Sequence, residues 1–232
     1  MPKKAVILLS GGLDSTTILA IAKSQNFECH ALSFAYGQRH IIELESAKKV
    51  AQEFGVKDHK IANIDLRIFG NSALTANIDV PKHFNVEEIS SNNIPITYVP
   101  ARNTIFLSYA LAYCETINAF DIFIGANAID YSGYPDCRPS FIEAFNKMAN
   151  LATAKTCDGN NIFKIHAPLI DLSKEQIIKK GLELGVDYSI THSCYDPIIR
   201  ENKVFSCREC DSCLLRLKGF KNANEQDLIN YK

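Results

Sequence analysis

The chemistry that stands out first is a turn that gathers backbone N–H groups and hydroxyls in one place. Leu8-Leu9-Ser10-Gly11-Gly12-Leu13-Asp14-Ser15-Thr16-Thr17-Ile18 follows an apolar strand-like run and opens a helical pattern. Gly11 and Gly12 let the backbone turn sharply and approach a ligand closely. The free N–H groups of a helix start then face an anion, and the helix dipole favours negative charge there. Ser10, Ser15 and Thr16 can add hydroxyl donors. Asp14 has the wrong sign for a phosphate cradle unless it serves a metal ion or fixes the loop, and a bound Mg²⁺ would resolve the clash. A bare Gly-Gly pair would read as turn geometry alone. The whole Ser-Gly-Gly-x-Asp-Ser string behind a first strand points instead to nucleotide phosphates, with Leu8 to Ile18 as the binding segment. No Gly-Lys-Ser/Thr is present, so this is not a Walker loop.

A second chemistry gathers near the C-terminus. Cys194, Cys207, Cys210 and Cys213 follow a C-x12-C-x2-C-x2-C spacing. Four thiolates on short loops make a closed tetrahedral zinc site, which leaves no open position for catalysis and is therefore structural. An iron–sulfur cluster is the rival use of the same ligands, and free thiols or a disulfide pair the plain one. Arg208, Arg216, Lys218 and Lys221 lie nearby, but Glu209, Asp211 and Glu225 dilute their charge. A solvated face is expected there rather than a nucleic-acid knuckle.

The Ser-Gly-Gly-Leu-Asp-Ser string resembles the pyrophosphate loop of the N-type ATP pyrophosphatases. That superfamily includes GMP, NAD, asparagine and argininosuccinate synthetases and several tRNA-thiolating enzymes. The resemblance implies an adenine nucleotide alpha-hydrolase-like, Rossmann-like fold. It also implies ATP cleavage between the α- and β-phosphates, giving an adenylated substrate and pyrophosphate. Three further strings narrow it: Phe34-Ala35-Tyr36-Gly37-Gln38-Arg39-His40, Val99-Pro100-Ala101-Arg102-Asn103-Thr104-Ile105-Phe106, and Asp130-Tyr131-Ser132-Gly133-Tyr134-Pro135-Asp136-Cys137-Arg138-Pro139. With the cysteine cluster, they make the chain resemble the 7-cyano-7-deazaguanine synthases from Val6 to about Phe220. That family is known as homodimeric, zinc-containing enzymes of queuosine precursor biosynthesis, which turn 7-carboxy-7-deazaguanine, ammonia and ATP into a nitrile. Two departures stand out. Many relatives carry Cys-Gly-x-Cys where this chain has Cys207-Arg208-Glu209-Cys210, and many carry Glu where it has Ser140.

What the resemblance implies is chemically coherent. A carboxylate must lose two oxygens to become a nitrile, and adenylation makes each a leaving group. Ammonia attacks the first acyl-adenylate to give an amide, and a second adenylation on the amide oxygen allows loss of AMP. Such transfers mostly demand positioning and charge neutralisation. Asp14 and Ser15 are expected to act with the phosphates, and Arg102 and Lys164 to neutralise developing charge. Surface or salt-bridge duty is the plain alternative for those two cations. Gln38, Arg39, Asp130, Tyr131, Ser132, Gly133, Tyr134, Asp136 and Arg138 are expected to line the substrate mouth. Asp130 or Asp136 would accept hydrogen bonds from the guanine-like edge, unless they are turn or cap residues. Tyr131 or Tyr134 would stack on the ring, and Arg138 would pair with the carboxylate.

The elements must bring these strings together. Strand-like runs at 5–9, 29–34, 59–64, 121–125 and 162–167 alternate with helical patterns at 15–23, 43–54, 103–118, 139–151 and 174–184. Ser173, Gln176 and Gly185 punctuate the last helix as N-cap, capping-box partner and stop. The alternation implies a doubly wound, mainly parallel α/β sheet with ligands at the strand C-terminal ends. Residues 1–188 form the nucleotide-binding domain, with a polar excursion over the site at about 70–98. Residues 189–232 form the zinc-binding region packed on the same domain. The 232 residues are 47% hydrophobic and 22% charged, enough for a sizeable core. A formal net charge of −1 gives no hint of bulk attraction to nucleic acid. The apolar run after Met1-Pro2-Lys3-Lys4 is too short for a leader or a membrane span, so a cytoplasmic location is expected. No glutaminase domain is visible, so ammonia is expected to arrive free or from another protein. The rival readings are a tRNA-thiolating enzyme of the same superfamily and a zinc-stabilised RNA-binding module.

Overall fold

The computed structural model describes residues 2–39, 41–89, 94–129, 133–157 and 159–232. Its centre is a five-stranded sheet in the order β3-β2-β1-β4-β5, every neighbour parallel. The strands are β1 (Lys4–Leu8), β2 (Glu28–Ala35), β3 (Asp58–Asn63), β4 (Asp121–Phe123) and β5 (Lys164–His166). The helices are α1 (Leu13–Ser24), α2 (Ile42–Glu53), α3 (Arg102–Ile117), α4 (Pro139–Ala149), α5 (Lys174–Glu183) and α6 (Asp211–Ala223). The doubly wound parallel sheet and all five expected strands are therefore present, with ends shifted by at most two residues.

The two faces of β1 show why the sheet needs helices on both sides. Successive strand residues point to opposite faces. Val6 and Leu8 enter a core with α3 and α4, including Leu107, Leu111, Ile142 and Phe145. Ala5, Ile7 and Leu9 enter the other core, with α1, α2, α5 and α6, including Ile18, Val50, Ile177 and Phe220. Both faces of the strand being buried, its sequence is a continuous apolar run rather than an alternating one. β1 pairs with β2 on one side and β4 on the other, so the chain leaves it in both directions. A crevice at the C-terminal ends of β1 and β4 is the geometric result.

The punctuation of α5 is as expected. The Ser173 side chain accepts from the Gln176 N–H while the Gln176 side chain reaches back, and Gly185 follows with a φ of 77°. The C-terminal region holds more order than its sequence suggested. Ile198–Arg200 and Lys203–Phe205 form an antiparallel hairpin, β6 and β7. Its two-residue turn, Glu201-Asn202, has φ of 49° and 60°, the left-handed pair that a tight hairpin favours. α6 packs on α5 and buries Arg216, which the sequence placed on a solvated face. Arg216 is 2% exposed, and it holds the Asp227 carboxylate at 2.7 and 2.9 Å. It also donates to the Tyr188 carbonyl and the Thr191 hydroxyl. The reason is amphipathicity: Cys213, Arg216 and Phe220 share a helix face, and that face is the covered one.

Described residues of the 70–98 excursion are tied to this region. Ala73 and Val80 pack among the four cysteines. His83 N–H donates to the Glu209 carbonyl, and Lys82 pairs with Asp196 at 2.6 Å. No helix among the described residues is long and apolar enough to cross a membrane.

Breaking the buried Arg216–Asp227 pair leaves a carboxylate stranded away from water. Arg216→Met should cost about 3–5 kcal/mol of unfolding free energy, read as a lower midpoint in urea. A change under 1 kcal/mol would show that the pair is not part of the folded framework.

Candidate functional site

One cavity of about 210 Å³ opens at the C-terminal ends of the strands and is lined from three sources. The turn between β1 and α1, with its flanking residues, supplies Leu8, Leu9, Ser10, Gly12, Leu13, Asp14 and Ser15. The opposite end is aromatic and polar, with Phe34, Tyr36, Phe106, Tyr134 and Tyr195 around Gln38, Glu43 and Arg102. Lys174, His192, Ser193 and Arg216 close the side next to the loop.

The loop follows from its glycines. Gly11 turns the chain with a φ of 83°, in the region that side chains disfavour. A Cβ there would collide with the Glu43 carbonyl and the Ala47 N–H of α2. Gly12 is the N-cap of α1 and has no side chain with which to cap that helix. The Leu13 N–H donates to Ser193 Oγ at 3.4 Å, and the helix start remains the end whose dipole favours an anion. Ser10 and Ser15 share a hydrogen bond of 3.0 Å at the cavity wall. Thr16, Thr17 and Ile18 do not line the cavity. The Thr16 hydroxyl turns back to the Gly12 carbonyl, Thr17 bonds the Leu13 carbonyl and Tyr188, and Ile18 is core. A helix advances 100° per residue, so only its first turn can face the ligand.

Asp14 is the loop carboxylate, and both its oxygens are held by Lys174 Nζ, at 2.8 and 2.9 Å. Lys174, at the start of α5, is 7% exposed. It is the cation that the sequence reading missed, while Lys164 was named instead. Lys164 is exposed at the first position of β5, the opposite end of the sheet from the crevice, and it does not line the cavity. The signal was available in the capping box: Ser173 places the next residue at a helix start beside the loop.

The other end is built by α3 and the segment after β2. Ala101 precedes Arg102 in the left-handed region, φ 53°, an unfavourable conformation for a residue with a side chain. The Arg102 guanidinium lies over the Tyr36 ring at 5.8 Å, and its Nη1 donates to the Tyr36 hydroxyl at 3.4 Å. Phe34 and Phe106 stack with centroids 3.9 Å apart. Burial pushes the Tyr36 phenol up to about 12, so it stays a neutral donor. Burial also lifts the Glu43 carboxyl to about 7, against the opposing pull of Arg102. Glu43 was not singled out from sequence, although it lies just beyond the Tyr36-Gly37-Gln38-Arg39-His40 string.

Of the expected substrate residues, Gln38 and Tyr134 reach the cavity. Gln38 bonds the Tyr36 N–H and the Phe34 carbonyl, which fixes the end of β2, and the Tyr134 hydroxyl pairs with Thr97 at 2.8 Å. Arg39 lies in a small adjoining chamber. Asp136 is instead a cap: its Oδ2 accepts from the Asn103 N–H and its carbonyl from the Asn103 side chain. Arg138 is exposed at the start of α4 and outside the lining, and Gly133 does not line it either. Asp130, Tyr131 and Ser132 lie outside the described residues.

The four cysteines meet as expected. Their Sγ atoms all lie within 4.8 Å of one another, and all four residues are buried. Tetrahedral ligands about 2.3 Å from a zinc ion sit about 3.8 Å apart, so the set fits with small adjustment. Cys207 N–H and Asp196 N–H both point at Cys194 Sγ, and Cys210 N–H at Cys207 Sγ, donors that favour thiolate over thiol. Arg208, where many relatives carry glycine, takes a φ of 68°. The turn keeps its left-handed shape without the residue best suited to it.

A family model described as queuosine biosynthesis protein QueC matches residues 4–224. A 7-cyano-7-deazaguanine synthase from Geotalea uraniireducens (strain Rf4) is 62% identical over 231 residues, covering 100% of this chain and 98% of its own length. One from Desulfatibacillum aliphaticivorans is 59% identical over 229 residues, covering 99% and 97%. A solved 4-thiouridine synthetase–RNA complex with bound ATP aligns with 99% of this chain and 47% of its own, at a TM-score of 0.51 and 18% identity. That last likeness is one of fold.

Two substitutions test this geometry. Gly11→Ala meets backbone on two sides and a disfavoured φ, so nucleotide binding should fall at least about tenfold by calorimetry, with a loss of about 1–3 kcal/mol in stability. Arg208→Gly relieves a left-handed arginine at an exposed turn and should raise stability by about 0.5–1 kcal/mol, read as a higher melting temperature.

Proposed function

Because the chain belongs to the queuosine biosynthesis QueC family, we propose that it is an ATP-dependent carbon–nitrogen ligase. It converts 7-carboxy-7-deazaguanine and ammonia to 7-cyano-7-deazaguanine through the adenylated acid, the amide and the adenylated amide. The observation that carries this reading is a single cavity with two unlike ends. A phosphate-type loop at a helix start meets an aromatic chamber that suits a flat, hydrogen-bonding ring.

In this reading the α-phosphate lies at the join of the two ends. Ser10, Gly12, Leu13 and Ser15 face the phosphates, and Lys174 and Arg102 supply positive charge from opposite sides. Asp14 aims Lys174 and is the loop carboxylate available to a magnesium ion travelling with ATP. The substrate carboxylate attacks the α-phosphorus, and pyrophosphate leaves from the loop end. Attack of ammonia on the acyl carbon releases AMP and leaves the amide. The amide keeps the same ring, so it can stay among Tyr36, Phe106 and Tyr134 while a second ATP replaces the spent nucleotide. Adenylation of the amide oxygen then makes that oxygen leave with AMP as the C≡N bond forms and two protons are shed. Nothing in the sequence of steps requires a covalent enzyme nucleophile.

The cysteine set is assigned to structural zinc: four buried thiol ligands close the coordination shell, and the chemistry lies in the cavity beside it. A homodimer working in the cytoplasm, on a small molecule rather than on nucleic acid, completes the proposal.

The amide is the test. Synthetic 7-amido-7-deazaguanine with Mg-ATP and no ammonia should go on to nitrile, with AMP and pyrophosphate as products by mass spectrometry. The acid should need ammonia under the same conditions, and limiting ATP should let the amide build up. An amide left untouched, while the acid still yields nitrile, would rule out double adenylation. Both compounds inert would favour the thiolating rival.

A further inference from the structure

Beside the main cavity lies a chamber of about 20 Å³, lined by Tyr36, Gln38 and Arg39 and by Leu74, Cys194 and Tyr195. That is room for about one water-sized molecule. Glu43 lines both the chamber and the cavity. It stands at the start of α2, where its own carbonyl abuts the Gly11 turn of the nucleotide loop. Among the described residues the cavity lining holds two carboxylates, and Asp14 is committed to Lys174 by two short contacts. Glu43 is therefore the carboxylate at the junction between a pocket for a very small molecule and the place where an acyl-adenylate would form.

The proposed reaction poses a chemical problem at this junction. Nitrogen arrives in neutral water almost wholly as ammonium, which has no lone pair and cannot attack carbon. Ammonium and ammonia are both close to water in size. We infer that the side chamber is the docking place of ammonium and that Glu43 is the base that deprotonates it for attack on the acyl-adenylate, an assignment that rests on the adenylation reading above. One proton passes from nitrogen to the Glu43 carboxylate. The freed lone pair forms the C–N bond, and the C–O bond to the adenylate breaks with its electron pair leaving on AMP. The second proton shed by the nitrogen goes to the departing phosphate, and Glu43 returns its proton to solvent.

The surroundings support this role. Arg102 from α3 acts on Glu43, and Tyr36 and Arg39 from the segment after β2 share its chamber with Cys194 and Tyr195 from the C-terminal segment. Arg102 favours the carboxylate and burial opposes it, which brings the group to about 7. A carboxyl so balanced takes up a proton and gives it back in each turnover.

The test separates nitrogen delivery from adenylation. In Glu43→Gln, pyrophosphate exchange that depends on the acid should stay within about threefold of wild type, while amide formation from ammonium at neutral pH should fall about 100-fold or more. The deficit should shrink as pH rises and free ammonia accumulates. Hydroxylamine, largely unprotonated at neutral pH, should be used by the variant nearly as well as by wild type. An equal loss with hydroxylamine and ammonium would overturn the assignment. So would an unchanged ammonium dependence, or a loss confined to the KM for the acid. Loss of exchange in the variant would make Glu43 a support of the loop instead. Absence of acid-dependent exchange in the wild-type protein would sink the adenylation reading itself, a result distinct from all of these.

Discussion

Gly11 has no side chain with which to hold itself, and its turn is fixed from the far end of the chain. The N–H of His192 donates to the Gly11 carbonyl at 2.9 Å, and Ser193 Oγ meets the Leu13 N–H. Both residues belong to a strap that Arg216 grips through the Tyr188 carbonyl and the Thr191 and Ser193 hydroxyls. Arg216 is oriented in turn by Asp227, which Tyr231 also bonds. A backbone that must present free N–H groups to a ligand cannot satisfy them internally, so the rigidity has to be imported. The cavity, the position of Asp14 and the start of α1 all depend on that line of hydrogen bonds.

The same argument gives the four-cysteine cluster beside this site a structural reason to lie there. Cys194 directly follows the strap, and Cys213 is one helical turn before Arg216. A metal ion joining Cys194 to Cys207, Cys210 and Cys213 would fix both the strap and the helix that grips it. The 70–98 excursion packs Ala73 and Val80 against the cluster and sends Leu74 into the cavity wall. Small cores gain most from such cross-links, because little apolar area is available to hold irregular backbone.

Much of this was legible in the sequence, and what was not has physical reasons. The five parallel strands were readable because strands buried on both faces are short, unbroken apolar runs, as with Ala5 to Leu8. The capping box at Ser173 and the cysteine quartet were readable because each is a local pattern with one good structural solution. Charges were harder. Lys164 and Lys174 are both lysines beside strand or helix ends, and only the direction of β5 decides which one reaches the crevice. Asp136 could have read a ring edge or capped a helix, and the open N–H of Asn103 took it. Arg216 looked like part of a diluted basic surface, because a buried arginine is visible only once its partner, Asp227, is brought beside it by the chain's return. Glu43 was hidden for a related reason: its environment is assembled from α3, the β2 end and the C-terminal segment.

The order of these parts along the chain has a consequence for how the protein is made. The loop that would receive ATP leaves the ribosome well before the groups that fix it, which lie far downstream in the chain. Translation leaves a gap on the order of tens of seconds between the two. Through that interval the sheet can begin to collect on β1, but the Gly11 carbonyl lacks its His192 partner and the loop is held only by its own hydrogen bonds and by α2. If the loop receives ATP as proposed, nucleotide would be a poor early template for folding here. A chain without its C-terminal segment would then hold ATP weakly, and competence would rise as that segment closes.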